Sequence, residues 1–356
     1  MTVTDLPQKL SELSSSSREI FDRIFDCYTT ESTMTIPESM VDWATKQFGS
    51  VDAVERQKLL ILENKVLNRG VIFNEIRTKR PQTKGTPVND EEILEMAEKP
   101  PFNEPEKLTP EDVFGRVRGE YCITASNVAK YDKWHGVIIF NEPHPLRWSE
   151  DQIVDYISVA NQWFEKVHQQ DSEALYPLFQ WNCLWRAAAS IPHGHAQVSV
   201  TEKTPYTEVD FMRASSLAYE NEFGSNYFDD YFTLHQELGL AVEKSGLRII
   251  FPLDTKKERE VMMFMNAFDE TFAKILHNIL VSYRDDLGVQ SFNAAGYLKP
   301  FGGDLQWDHM PVVFRLIDRG PLDNKNADLG IMERFAEEVI TNDPFHTASV
   351  LSATFS

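Results

Sequence analysis

The chain reads as an α+β protein in which an antiparallel sheet with a crossing helix occurs twice, the two diverged copies forming a pseudo-dimer. Three observations predict this class. The order strand, long helix, strand, strand repeats along the sequence, and an Asn stands on the third element of each copy, Asn182 and Asn293. A His-bearing strand then closes each copy.

In the first copy a strand is expected at 136–140, followed by a helix at 149–168 that sets Ile153, Tyr156, Ile157, Ala160, Phe164 and Val167 at core spacing. A strand at 178–183 follows, and then the strand carrying His193 and His195. The second copy offers a strand at 247–251, a helix at 256–283, and strands at 290–295 and 305–314, the last carrying His309. Ahead of the duplication, residues 17–48 and 51–68 place apolar and charged residues at helical spacing, with Pro37 as punctuation. Residues 1–68 are therefore expected to form a helical extension, 69–210 the site-bearing half and 211–356 a degenerate half. A short apolar strand at 70–75 leads into Arg77, Lys79, Arg80, Pro81 and Lys84, the densest basic cluster in the chain. Residues 87–110, rich in Pro, Glu and Asn, read as an exposed connecting loop.

With 356 residues, of which 42% are hydrophobic, the chain can bury a substantial core. No apolar run reaches the roughly 18 residues of a membrane span, and residues 1–17 are polar and Ser-rich, unlike a secretory signal or transit peptide. A cytoplasmic location is expected. Cys27, Cys122 and Cys183 are widely spaced with no Cys-x-x-Cys, which argues against a disulfide framework or a cysteine-based zinc site. The formal charge of -20 speaks against a nucleic-acid surface, so an anionic small ligand would need a local basic pocket.

The candidate site is the run Ser190 to Gln197. Strand side chains alternate, so His193, His195 and Gln197 are expected on one face and Gly194 and Ala196 on the other. Such a face suits a phosphoryl group: an imidazole can attack phosphorus to form a phosphoramidate while an amide donates to the developing charge. A bare His-x-His reads equally as a metal pair or as polar residues on an edge strand, and only the longer string favours phosphoryl chemistry. Arg77 and Arg80 read either as a guanidinium pair for a diphosphate or as a solvated basic face. Trp181, Trp185 and Trp307 read as base-stacking or core residues.

The eight-residue run Ser190-Ile191-Pro192-His193-Gly194-His195-Ala196-Gln197 resembles the signature of the galactose-1-phosphate uridylyltransferase branch of the histidine-triad superfamily. That HIT-like branch also holds diadenosine tetraphosphate phosphorylases and nucleotide-sugar phosphorylases. The segment Ile76 to Pro81 resembles its Arg-x-Lys-Arg-Pro segment, Ser126-Asn127 its Asn-bearing turn, and 137–153, with Phe140, Pro143 and His144, its strand and helix entry. Asn182 and 327–335 extend the similarity from about Gly70 to the C-terminus.

The resemblance implies a HIT-like fold and a nucleotidyltransferase that acts on a nucleotide sugar or related nucleotide through a covalent nucleotidyl-His195. It implies a supporting role for His193, donation by Gln197, and phosphate or nucleoside contacts from Ser190, Arg77, Arg80, Asn127 and Asn182, with Arg186 a further candidate. Gln at 197 cannot exchange protons at neutral pH, which favours transfer over hydrolysis. The partners implied are a nucleotide, a phosphorylated acceptor and a second copy of the chain. Pro100-Pro101-Phe102-Asn103 stands where the branch often has a zinc-binding Cys-x-x-Cys, leaving only His144 and His193, so no tightly bound zinc is expected. Trp307-Asp308-His309 keeps one His of a second metal pair, and that site is expected to be lost. The Lys and Gln that hold the hexose phosphate have no match at 327–339, which leaves inorganic phosphate, a sugar phosphate or another phosphorylated metabolite as acceptor. A dinucleoside-polyphosphate or nucleotide-sugar phosphorylase or hydrolase is the alternative of the same fold. A non-catalytic nucleotide-binding protein is the alternative of another class.

Overall fold

Two sheets organise the chain in the computed structural model, which describes residues 2–80, 85–327 and 329–355. Pro81 and Lys84 of the basic cluster lie outside the described residues. The smaller sheet has the order β1-β2-β3-β13, with β1 at Phe25–Thr33, β2 at Arg56–Asn64, β3 at Arg69–Phe73 and β13 at Glu338–Ile340. The larger has nine strands: β4 (Cys122–Ser126), β5 (Trp134–Phe140), β6 (Tyr176–Cys183), β7 (His195–Thr201), β8 (Ala241–Lys244), β9 (Leu247–Ile250), β10 (Val261–Met265), β11 (Phe292–Tyr297) and β12 (Val312–Asp318).

Its order, β4-β5-β7-β6-β11-β12-β10-β9-β8, contains the duplication. The series β4-β5-β7-β6 meets its counterpart β9-β10-β12-β11 head to head, and β8 extends the far edge. At the junction Asn182 is paired with Asn293 in the antiparallel register, so a two-fold rotation about this pair exchanges the halves. One face of the sheet carries Phe140, Phe179, Trp181, Phe292 and Phe314 and is covered by the helices Glu150–Gln170 and Glu270–Asp285. The Phe140 ring stacks on Tyr156 at 3.8 Å, and Phe314 packs on Phe272 at 5.0 Å. Each of these large rings contributes about 2–3 kcal/mol by leaving water, and alternation leaves the opposite face free for polar residues. Both helices start on side-chain caps: Ser149 accepts from Gln152 N, and Asp269 from Phe272 N.

Several local expectations are overturned. Residues 25–33 and 56–64, expected as helix, pair as the antiparallel strands β1 and β2, because the aromatic and β-branched run Tyr28–Thr30 and the apolar run Leu59–Leu62 find partners across the chain. Within the loop expected at 87–110, Asp90–Ala97 forms a helix, capped by Asn89 and Glu92 in a reciprocal box. The helix expected at 256–283 starts only at Glu270. Val261–Met265, whose Met and Phe residues tolerate a helix, is fully buried as β10 between β9 and β12. The strand expected at 305–314 starts at Val312, which leaves His309 in the preceding loop.

Buried Asn64 ties the small sheet to the second half. Its Nδ2 donates to Tyr227 Oη at 3.0 Å and to Asp254 Oδ2 at 2.8 Å.

Candidate active site

The strand β7 begins at His195, so His193 lies outside it, in the turn that leads in. The expectation of three polar side chains on one strand face therefore holds for His195 and Gln197 and fails for His193. The reason is the close approach at Gly194: its N–H donates to Pro143 O, its carbonyl accepts from Phe140 N, and a Cβ there would meet Glu142 O at 2.9 Å. Both ring nitrogens of His193 face carbonyl oxygens, Nδ1 that of Ala97 at 2.9 Å and Nε2 that of Phe140 at 2.8 Å. Carbonyls only accept, so this ring offers no lone pair outward.

His195 is held differently. Its Nδ1 donates to the His193 carbonyl at 2.7 Å, which leaves the Nε2 lone pair uncommitted among the described residues. Burial pushes this imidazole down to about 4, against weak support from the His193 carbonyl, so the ring is neutral at pH 7. Only 7% of the residue is exposed, because the Phe102 ring stands edge-on over it at 5.2 Å and over His193 at 6.0 Å. Phe102 belongs to a small apolar cluster with Ile123, Ala125, Val137 and Ile139 beside His195.

Gln197, two residues along the same face, is oriented by a group that the motif does not include. His135 on β5 sits with Nε2 2.8 Å from Gln197 Oε1. Burial lowers the affinity of His135 for a second proton, and with Gln197 Oε1 facing its Nε2 the Gln197 N–H2 group is turned away from the ring. Asn127 Nδ2 lies 3.1 Å from the same nitrogen, and Tyr131 covers the ring at 3.8 Å. His135 was legible in principle: one more residue on the strand at 136–140 places it on the face of Val137 and Ile139.

The antiparallel register that pairs Gln180 with Gln197 carries His195 to the level of Asn182, which is paired in turn with Asn293. Asn293 Nδ2 donates to Asn182 Oδ1 at 2.7 Å and to Ala187 O at 2.9 Å, while Arg319 donates to its Oδ1. The Asn182 N–H2 stays uncommitted among the described residues. Between β6 and β7 the chain makes a strained loop: Leu184 has φ 65° and ψ 175°, and Ala188 has φ 67° and ψ 21°. Both are regions that side chains with a Cβ avoid, and they cost about 1–3 kcal/mol each. Ser190, at the end of this loop, is exposed.

Arg77, Arg80 and Arg186 come together in a cavity of about 280 Å³ that Lys257 and Arg319 also line. Arg186 Nη1 donates to Asn326 O at 2.8 Å, while the Nε atoms of Arg77 and Arg186 are sealed without a hydrogen-bond partner. His195 does not line this cavity. The two are linked through Asn182, Asn293 and Arg319.

A structural zinc does not fit these residues. His193 has both nitrogens engaged, Phe102 brings an apolar ring, and His144 uses Nδ1 to accept from Leu146 N at 3.3 Å. No group of three or more His, Cys, Asp or Glu among the described residues is placed to hold a metal ion. His309 lies in its loop with Nε2 near Ser216 Oγ at 3.0 Å and Arg213 O at 3.1 Å.

No protein-family model matches this chain, and no curated protein sequence matches it either. Solved structures do. An ADP-glucose phosphorylase from Arabidopsis thaliana, solved with ADP-glucose bound, aligns over 82% of this chain and 97% of its own with a TM-score of 0.61 at 16% identity. A GalT-like protein from the same plant aligns over 82% and 98% with a TM-score of 0.60 at 14% identity. A uridylyltransferase aligns over 83% and 98% with a TM-score of 0.56 at 14% identity. With these alignments and the mirrored strand order, the chain has the α+β fold shared by these phosphorylase, GalT-like and uridylyltransferase structures.

Proposed function

We propose that this chain is a nucleotidyltransferase in which His195 carries the nucleotide between donor and acceptor. The observation that carries the reading is the state of one ring: Nδ1 is fixed to a backbone carbonyl, and Nε2 keeps a free lone pair on a neutral imidazole. In the first step Nε2 attacks the α-phosphorus of a nucleotide donor, a P–N bond forms, and the P–O bond to a phosphorylated leaving group breaks. The positive charge that develops on the ring is held by the Nδ1–H bond to His193 O. The N–H2 groups of Gln197 and Asn182 donate to the phosphoryl oxygens. In the second step an acceptor oxygen attacks the same phosphorus, and the P–N electron pair returns to Nε2. Donor entry requires Phe102 to swing off the imidazole. The apolar cluster beside it supplies a seat for a nucleobase, and the Arg77, Arg80 and Arg186 cavity neutralises phosphates of the leaving group.

Denaturing gel filtration at alkaline pH, where a P–N bond survives, tests the reading after incubation with UDP-glucose, ADP-glucose or diadenosine tetraphosphate labelled in the nucleoside or its α-phosphate. Stable label on the wild type, absent from a folded His195→Asn variant, is the expected result; equal labelling of that variant would overturn it. Adding inorganic phosphate or a hexose 1-phosphate to the labelled enzyme separates a phosphorylase from a transferase.

A further inference from the structure

The open face of the nine-stranded sheet holds a second cavity, of about 320 Å³, over β6, β11 and β12. Tyr206 and Tyr297 flank it, and Asn182 belongs both to its wall and to the row of His195. The far wall is charged. Glu208 is ion-paired with Arg69 and Lys256 at 2.5 Å each, and Arg315, 5% exposed, is ion-paired with Glu260. Three cations thus share two carboxylates. Arg315 Nη1 and Arg69 Nη1 are sealed without a hydrogen-bond partner, and the Glu208 oxygen is 4.0 Å from the former. Buried donors without acceptors are costly, and of the two only Arg315 belongs to a residue lining the cavity, where an oxyanion would give it an acceptor. Burial first, and then the guanidinium groups of Arg315 and Arg69, pull the Lys256 ammonium down to about 8 against the opposing pull of Glu208.

Three strand spacings separate β7 from β12, roughly 14 Å, and Arg315 stands level with Gln197, two residues along from the row of His195. The His195 and Arg315 backbones are thus about 16 Å apart, and their side chains, both on the open face of the sheet, bound the span an acceptor must cross. We propose that this cavity binds the distal anionic group of the acceptor, so that the acceptor is a small bis-anionic molecule. One phosphate oxygen attacks the nucleotidyl-His195 phosphorus as the P–N bond breaks, and a second phosphate or a carboxylate rests against Arg315 and Lys256. This inference rests on the nucleotidyl-transfer reading above.

The test compares discharge of the labelled enzyme by glucose 1,6-bisphosphate and by glucose 1-phosphate. The bisphosphate is expected to be preferred at least tenfold in kcat/KM, Lys256→Met to abolish most of that preference, and Lys256→Arg to retain it. Equal discharge by the two acceptors, or a preference unmoved by Lys256→Met, overturns the proposal. A binding measurement stands apart from turnover: glucose 1,6-bisphosphate should protect Lys256 of the resting enzyme from reductive methylation at pH 8, and absence of protection also overturns it. Should no nucleotidyl-protein be trapped, the transfer reading fails while protection of Lys256 still decides whether the cavity takes an anion.

Discussion

Two buried imidazoles, one in each half of the chain, share a depressed affinity for protons and differ in everything that matters for chemistry. Burial drives both His195 and His235 down to about 4. His235 spends both nitrogens on the fold, Nδ1 donating to Tyr231 O at 2.8 Å and Nε2 accepting from Leu253 N at 3.2 Å. His195 spends only one. A perturbed pKa therefore marks burial, and the uncommitted lone pair marks the candidate nucleophile. The strands agree. By the two-fold rotation about Asn182 and Asn293, Ile317 on β12 takes the place of His195 on β7, so the second half has an aliphatic side chain where the first has an imidazole.

The contrast can be broken in three places. The largest effect is expected from Gln197→Ala, which removes a donor aimed at the phosphoryl group and should slow His195 nucleotidylation by about 10²–10³-fold in a single-turnover label assay. Loss of less than threefold would show that the strand face beyond His195 is not part of the site. Acid comes next. The folded values of His195 and His235 lie below the unfolded value near 6.5, so the unfolded chain binds protons first as pH falls. Their contribution is present above pH 6.5 and lost toward pH 4, on the order of 3 kcal/mol for each ring in full and about 2 kcal/mol between pH 7.5 and 5, which urea denaturation at those two pH values measures. Over the same range nucleotidylation should stay flat between pH 7 and 5.5, whereas an acid limb centred on 6.5 would mean that His195 titrates as an exposed ring. The smallest effect is expected from Ala188→Gly in the strained loop of the first half. Relief of a positive φ at an exposed residue should raise stability by about 0.5–1 kcal/mol in the same denaturation assay.

The first half was far more legible than the rest. Between residues 134 and 201 the strands, the long helix and Gln197 follow from local periodicity and one dense motif, because each element there buries one face against its neighbour. The β1-β2 pair and β10 depart from the helices expected there because Leu59–Leu62 and Val261–Met265 satisfy a helical or a strand pattern equally, and only distant partners select the strand. His193 was placed on the wrong element because two imidazoles at i and i+2 look alike in sequence while the chain turns between them. Arg77, Arg80 and Arg186 were found as residues, and their gathering in one cavity apart from His195 was not.

The amino-acid order alone determined the duplicated α+β plan and drew attention to the Ser190–Gln197 string, since short-range alternation and a dense motif are local properties. Tertiary structure decided which histidine keeps a free nitrogen, that His135 orients Gln197, and that Phe102 shields the ring. It also placed three cations against two carboxylates across the sheet. These depend on contacts between residues tens to hundreds of positions apart, and the free energy of a hydrogen bond or a buried charge is set by what surrounds it in space.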